Sequence, residues 1–333
     1  MIRSNKREKN NMNKYGFYDR LTKAFPSQII VDVCQVCNYE CVHCPQSQFK
    51  NSDAFSGAYL SEDLNKKMVD EVAEFGKNMT QQIRYTAAGE PFLHPQIMDM
   101  LGYAVKNSGT FVSVTTNGSL LNDDIIEKLL EMNIGLVDFS LDALNDDTYS
   151  KIRKNGNLVA VRDNVLKMLE MRAKMNSSTR VVVSFVKQEH NIPEMDEFKR
   201  FWEEKGVDYV VLRMLHSAGG FFSENASNSM AYVPCVYPWE RIKLTPTGDL
   251  CFCGFSWLEK RTIHQGYNTA TIHDVWTGDD YSVLRDENLS GTFNRFSVCK
   301  ECSDKYQTIW PANKTESLRG YGDMIKDFAD NDK

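Results

Sequence analysis

Nine cysteines hold most of the chemistry this sequence offers: Cys34, Cys37, Cys41, Cys44, Cys235, Cys251, Cys253, Cys299 and Cys302. They fall in two groups, with none between Cys44 and Cys235. The number is odd, and no apolar stretch follows the polar, basic opening MIRSNKREKNNMNKYGFYDR, so neither a disulfide framework nor a secretory signal is expected. Clustered thiols in a reducing cytoplasm point to metal or redox chemistry. The first group, Cys37-Asn-Tyr-Glu-Cys41-Val-His-Cys44-Pro, puts three thiols on one compact loop. Three thiolates can hold three irons of a [4Fe–4S] cluster and leave the fourth iron open to a small molecule. Zinc is the rival, with His43 as a fourth ligand, although a closed tetrahedral loop is awkward where His43 adjoins Cys44. Cys34 forms a C-x2-C with Cys37, but at the end of an apolar run it reads as a small buried residue. In the second group Cys235, Cys253 and the pair Cys299-x2-Cys302 come from two distant segments. On spacing they suit a complete cluster and a zinc ribbon equally.

The elements that must position these thiols follow from periodicity. An apolar run over 28–33 leads straight into the first cysteine loop. Helices are predicted over 61–75, with Ser61 as N-cap and Leu64, Met68, Val72 and Phe75 on one face, and over 95–106, with Pro95 in the first turn. Further helices are predicted over 123–132, 158–172 and 194–205, and strands over 82–87, 111–116, 136–141, 180–186 and 209–215. Strands alternating with helices imply a parallel sheet with right-handed crossovers. Asp138, Ser140 and Asp142 alternate with Val137, Phe139 and Leu141, and Ser113, Thr115 and Asn117 alternate with Val112 and Val114. Ser184 and Arg213 continue the pattern in later strands. Strands covered on both faces read as continuous apolar runs, so these fit a curved sheet with helices outside and a polar concave face. Active sites of such barrels lie at the C-terminal ends of the strands. Beyond Leu215 the stretch HSAGGFFSENASNSMAYV reads as a linker, and Thr-Pro-Thr-Gly-Asp between 242–244 and 250–252 reads as a hairpin. The charge balance of 39 Lys+Arg against 45 Asp+Glu, net −6, gives no basic footprint for nucleic acid. No run of about 18 apolar residues suggests a membrane span, and a cytoplasmic protein is expected.

The cysteine loop resembles the C-x3-C-x-aromatic-C signature of the radical S-adenosylmethionine superfamily, with His43 in the aromatic position. The resemblance runs over 28–215. Ala88-Gly89-Glu90-Pro91 ends the second strand, where the family places a GGEP-like motif; the first glycine is alanine here. Thr115-Thr116-Asn117-Gly118 and Ser140-Leu141-Asp142-Ala143 end the next two strands, and Arg153 lies where relatives pair an arginine with the cofactor carboxylate or ribose. The resemblance implies an α/β fold, a partial (β/α)6 TIM-like barrel followed by a small cysteine-rich α+β extension. It implies Cys37, Cys41 and Cys44 as ligands of a [4Fe–4S] cluster. It further implies S-adenosylmethionine held by His43, Ala88, Gly89, Glu90, Pro91, Asn117, Ser140, Asp142 and Arg153. The chemistry so implied is reductive cleavage of S-adenosylmethionine to a 5′-deoxyadenosyl radical, fed by a donor such as flavodoxin or ferredoxin, followed by hydrogen abstraction from substrate.

The tail resembles the twitch region, a shortened form of the SPASM extension, through Pro238-Trp239, Gly248-Asp249 and Ile272-His-Asp-Val-Trp276. That likeness implies an auxiliary [4Fe–4S] cluster on Cys235, Cys253, Cys299 and Cys302; no cysteine follows Cys302, so a second auxiliary cluster is not expected. The expected organisation is a lead-in over 1–27, the barrel over 28–216, a linker over 217–233 and the auxiliary region over 234–333. Cys251 is left over, as an alternative ligand, a buried small residue or a hydrogen-atom donor of the kind some radical epimerases use. Three reactions fit: dehydrogenation of a small polar substrate (a sugar, aminosugar or aminocyclitol), redox-neutral epimerisation or deoxygenation, and peptide modification. Only 36 residues precede Cys37, too few for the N-terminal recognition domain of many peptide-modifying relatives, which favours the small substrate. Asp138, Ser184, Arg213 and His216 are the candidate lumen contacts, with Arg213 foremost. A non-enzymatic metal-binding scaffold is the alternative of another class.

Overall fold

The computed structural model describes residues 20–86, 88–215, 217–218, 232, 234–255, 261–300 and 302. His216, Ala87 and most of the expected linker lie outside them, as does the tail after Cys302. Six parallel strands form the body of one sheet: β1 (Gln28–Asp32), β3 (Gln82–Thr86), β4 (Phe111–Thr116), β5 (Leu136–Ser140), β7 (Arg180–Lys187) and β8 (Tyr209–Met214). They lie side by side in chain order, without the reversal that marks a doubly wound sheet, so the sheet winds one way as in a barrel. A two-stranded ladder of β2 (Glu40–Cys41) and β6 (Arg153–Lys154) stands apart from it. On the free edge of β1, β9 (Arg241–Leu244) adds in parallel, and β10 (Leu250–Cys251) and β11 (Thr262–His264) follow antiparallel. The cysteine-rich extension thus continues the barrel's sheet, which has nine strands in all.

The helices form where their caps and apolar stripes dictate. In α2 (Glu62–Phe75) Ser61 accepts the Leu64 N–H, and Glu62 and Asp63 in the first turn favour the positive end of the helix dipole. Asn122 caps α4 (Asp123–Glu131) through the Ile125 N–H, and Ile126, Leu129 and Leu130 are buried, the stripe that the sequence spacing predicts. Asn157 does the same for α6 (Leu158–Met175), which buries Val161, Val165 and Met168. The expected start at Pro95 is displaced: α3 spans Ile97–Asn107. The Glu90 carboxylate accepts the Phe92 N–H and starts a separate 3-10 turn over Pro91–Leu93, which occupies the chain that would have led into the helix.

The register puts Gln82, Arg84, Ser113, Thr115, Leu136, Asp138, Val182, Ser184, Val211 and Arg213 on one face. The opposite face carries Ile29, Ile83, Val112, Val114, Val137 and Val183 into the main core against the helices. The polar face is internally hydrogen-bonded: Gln28 donates to Gln82 at 2.6 Å, and Gln82 donates to Ser113 at 2.7 Å. A small separate apolar cluster of Leu136, Val182 and Val211, flanked by Phe111 and Tyr209, closes this face near the N-terminal ends of the strands.

Candidate functional site

The first cysteine loop leaves β1 and is pinned at two points. Cys41 lies in β2 opposite Arg153, and the Val42 N–H donates to the Ile152 carbonyl at 2.9 Å. The loop after β3 crosses it so closely that a Cβ on Gly89 would sit 1.7 Å from the Val36 carbonyl oxygen, so only glycine fits there. The Glu90 N–H donates to that carbonyl at 2.8 Å. Within the loop the Cys44 N–H donates to the Cys41 carbonyl at 3.1 Å, and the Tyr39 N–H reaches the Cys37 sulfur at 3.4 Å. Burial pushes the Cys37 and Cys44 thiols up to about 12 and raises Cys41 as well. Thiols in such surroundings become thiolates only beside a compensating positive charge, which a metal centre supplies.

Arg153 supplies part of that charge. Its Nη1 lies 3.8 Å from the Cys41 sulfur, while its Nε and Nη2 donate to Asp142 Oδ2 at 2.9 and 2.6 Å. Burial works against the guanidinium charge, but Asp142 and Cys41 outweigh it and hold its pKa well above the ordinary value. Asp142 follows β5 in a left-handed conformation, with φ 69°. Its other oxygen accepts the Val186 N–H at 2.7 Å, and its carbonyl accepts from Asn191 Nδ2 at 2.9 Å. His43 Nε2 is 3.7 Å from the same carboxylate, and its Nδ1 is 3.3 Å from Gln188 Nε2. One buried carboxylate therefore ties the cysteine loop, the β5 end and the β7 end together. Gln188 and Asn191 are members of this network that sequence reasoning missed, because nothing in their spacing marks them.

Glu90 anchors the neighbouring strand ends. It is buried, and it accepts Thr116 Oγ1 at 2.6 Å, the Asn117 N–H at 2.8 Å and the Phe92 N–H at 3.2 Å. Burial raises its pKa against those hydrogen bonds. Asn117 Nδ2 donates in turn to Asn38 in the cysteine loop at 2.9 Å. Ala88, Gly89, Glu90, Pro91, Asn117, Ser140 and Asp142 thus lie at or just beyond the C-terminal ends of their strands, with Glu90, Asn117, Arg153 and His43 tied to the cysteine loop, and together they could hold a cofactor there. Cys34 is buried beside them and donates to the Glu90 carbonyl at 3.1 Å; burial raises its pKa, as suits a structural thiol.

The second cysteine group also converges. Cys235, Cys253, Cys299 and Cys302 line one apolar-walled cavity with Tyr237, Phe252 and Phe255. Burial, and then the nearby sulfurs of Cys253, Cys302 and Cys299, push the Cys235 pKa up. Cys251 does not line this cavity. It pairs across β9–β10 with Lys243, whose Nζ donates to Asp32 at 2.9 Å, on the side of the sheet that carries Arg84. Among the described residues no three Cys, His, Asp or Glu side chains converge on a single ion.

On the concave face below the first group, Ser184 donates to Asp138 at 2.6 Å, and Arg213 Nη2 lies 3.3 Å from both. Arg84 donates to Thr115 at 3.2 Å. Arg213 was legible as a lumen residue; Arg84 and Tyr237 were not singled out, though Arg84 alternates with Ile83 and Tyr85 in the same way.

Comparison with known proteins agrees with this geometry. A family model for the Radical SAM superfamily matches residues 31–199, and one for the SPASM iron–sulfur cluster-binding domain matches residues 235–303. A tungsten-containing aldehyde ferredoxin oxidoreductase cofactor-modifying protein of Pyrococcus furiosus is 26% identical over 190 residues, 56% of this chain and 51% of that protein. An AdoMet-dependent heme synthase of Methanosarcina barkeri is 30% identical over 128 residues, 38% of this chain and 34% of that one. The matches therefore span about half or less of these relatives' length. In fold, BtrN in complex with AdoMet and 2-DOIA gives a TM-score of 0.56 at 18% identity, covering 83% of this chain and 92% of that chain. Streptococcus suis SuiB bound to S-adenosylmethionine gives 0.62 at 13% identity, covering 90% and 77%.

Proposed function

The chain belongs to the radical SAM superfamily, whose cofactors are S-adenosylmethionine and a [4Fe–4S] cluster, and on that premise we propose that it oxidises a small polar substrate at a carbinol carbon. When bound, these groups and an auxiliary cluster supply hydrogen-atom abstraction and a one-electron acceptor. The residues do the rest. Cys37, Cys41 and Cys44 hold the first cluster, and Arg153, braced by Asp142, steadies the Cys41 sulfur. Gly89, Glu90, Asn117 and Ser140 shape the cofactor end of the barrel. Cys235, Cys253, Cys299 and Cys302 hold the auxiliary cluster. The substrate lies on the concave face beside Asp138, Ser184 and Arg213, with Leu136, Val182 and Val211 excluding water from below.

Oxidation of a secondary alcohol removes a hydrogen atom, one further electron and the hydroxyl proton, and Asp138 is the carboxylate placed to accept that proton. The observation that carries this reading is the position of Tyr237: it lines the auxiliary cysteine cavity, and its ring lies 4.0 Å from the Arg241 guanidinium, which the register puts on the same face of the sheet as Arg84. The two sites are therefore close neighbours, as a second electron transfer requires. BtrN, crystallised with AdoMet and 2-DOIA, shares the fold over 92% of its chain, which supports a small-molecule substrate. A flavodoxin- or ferredoxin-type protein is proposed as electron donor. A second reading, redox-neutral epimerisation, is favoured by Cys251 alone, a buried thiol on the Lys243 side of the sheet rather than in the cysteine cavity. Anaerobic turnover of deuterated sugars, aminosugars and aminocyclitols decides between them. Deuterium in 5′-deoxyadenosine with a carbonyl product supports oxidation, solvent deuterium in an isomerised product supports the epimerase, and turnover of peptides alone overturns both.

A further inference from the structure

Arg285 is a buried cation without an anion. It lies in the helix Asp279–Ser290. Its Nε donates to the Pro238 carbonyl at 2.9 Å and its Nη1 to the Trp276 carbonyl at 3.0 Å. The guanidinium lies 4.7 Å from the ring centre of Trp276 and 5.0 Å from that of Tyr281. Its Nη2 is buried with no hydrogen-bond partner, and among the described residues no carboxylate accepts from Arg285. The buried carboxylates nearest along the chain are committed elsewhere. Glu240 accepts Arg241 Nε at 2.7 Å, and Glu287 accepts the N–H groups of Asn294, Arg295 and Phe296. Carbonyls and ring faces cushion the charge of Arg285 but do not neutralise it. Burial pushes its pKa down with no carboxylate opposing, yet a guanidinium stays protonated in a protein. A charge taken out of water in this way calls for a counter-charge.

The four-cysteine cavity lies just beyond the groups that Arg285 holds. Pro238, which accepts from its Nε, lines that cavity. So does Asn288, one turn further along the same helix, whose side chain accepts the Cys235 N–H at 3.3 Å. No Asp or Glu is among the described residues that line the cavity, and its charged lining residue is another cation, Arg261, which donates to the Phe255 carbonyl at 2.6 Å. A [4Fe–4S] cluster held by four thiolates is an anion, and it gains one more negative charge when it is reduced. A fixed positive charge behind an apolar wall therefore favours the reduced state and raises the reduction potential.

We propose that Arg285 is the buried counter-charge of the auxiliary cluster and holds its reduction potential up, which suits that cluster to take the second electron of substrate oxidation. This rests on the reading of Cys235, Cys253, Cys299 and Cys302 as the ligands of an electron-accepting cluster. Arg285 donates to none of those sulfurs and acts through the cluster, as a positioning residue.

The test is a redox titration of the anaerobically reconstituted full chain, followed by electron paramagnetic resonance, in which the signal that persists in Cys41→Ala identifies the auxiliary cluster. Arg285→Gln keeps an N–H donor and removes the charge. It is expected to shift the auxiliary cluster about tenfold or more toward its oxidised form at a fixed potential, a midpoint about 59 mV lower, while the first cluster keeps its own. Arg285→Lys keeps the charge and is expected to stay near the wild-type midpoint. A merely structural role gives the opposite sign, because a loosened wall admits water, which favours the more highly charged, reduced state. An unchanged or raised midpoint in Arg285→Gln overturns the proposal, as does an equal fall in Arg285→Lys. If Arg285→Gln loads only the first cluster, Arg285→Lys decides. Full iron and a wild-type midpoint with lysine support the counter-charge, and loss of the cluster with lysine overturns it. Iron content of the wild type keeps two failures apart. About eight irons per chain with an auxiliary midpoint indifferent to Arg285→Gln removes the counter-charge alone, whereas about four removes the cluster reading with it.

Discussion

Replacing Asp142 by alanine removes three hydrogen bonds at once: those from Arg153 Nε at 2.9 Å and Nη2 at 2.6 Å, and that from the Val186 N–H at 2.7 Å. Both Asp142 and Arg153 are buried, so water does not readily replace the lost partner. Breaking one half of a buried ion pair leaves an uncompensated charge and costs about 3–5 kcal/mol. In a chain of this size that corresponds to a fall in melting temperature of roughly 4–7 °C. Removing both partners, as in Asp142→Ala with Arg153→Met, takes away the stranded charge, so the double variant should recover about 2 kcal/mol or more relative to the sum of the singles. Thermal unfolding of the four proteins, followed by circular dichroism under anaerobic conditions, measures this cycle. A cost below about 1 kcal/mol for Asp142→Ala, or strict additivity in the double variant, would refute the view that this carboxylate braces Arg153 and the cysteine loop.

Three further outcomes follow from the same structure. Gly89→Ala forces a methyl group into the Val36 carbonyl, so the cysteine loop must move; iron content should fall by about half, from about eight toward about four per chain, with the auxiliary centre spared. Cys253→Ala should abolish the auxiliary cluster's signal in electron paramagnetic resonance, whereas Cys251→Ala should leave both clusters in place, since only Cys253 lines the four-cysteine cavity. Glu194 offers a pH readout. Burial alone would raise its pKa, but hydrogen bonds from Thr148, Leu144 and Asn145 outweigh burial and hold it below the ordinary value. A carboxylate depressed in the folded state contributes stability above its unfolded value of about 4.3, and that contribution is lost as pH falls through the lower folded value. Glu194→Gln should therefore be less stable than wild type at neutral pH, with the gap closing in acid, as stability curves against pH will show.

Much of the architecture was legible because its signals are local. Ser61 and Asn122 cap helices at their own N-termini, and the apolar stripe of Ile126, Leu129 and Leu130 needs no distant partner to be read. The alternation of Asp138 and Ser140 with Val137 and Phe139 marked the concave face, and the register bears it out. What the sequence did not reveal depends on contacts between distant segments. The start of α3 moved because Glu90 caps a turn of its own. The parallel addition of β9 to β1 joins residues more than two hundred positions apart, and no pattern within either strand announces it. The family pattern marks Arg153 as a cofactor contact, but its pairing with Cys41 and Asp142 emerges only once β2 and β6 are laid side by side. Arg84 carried a readable signal in its alternation with Ile83 and Tyr85, which places it on the face that also carries Arg213, four strands away in sheet order from β3 to β8.

The central claim is a radical enzyme with two separately ligated clusters, and iron stoichiometry combined with cofactor cleavage tests it most directly. Anaerobically reconstituted protein should hold about eight irons per chain and, once reduced, convert S-adenosylmethionine to 5′-deoxyadenosine, an activity that Cys41→Ala abolishes while about four irons remain. Four irons or fewer with zinc in the C-terminal site, or no 5′-deoxyadenosine from the reduced wild type, would contradict it.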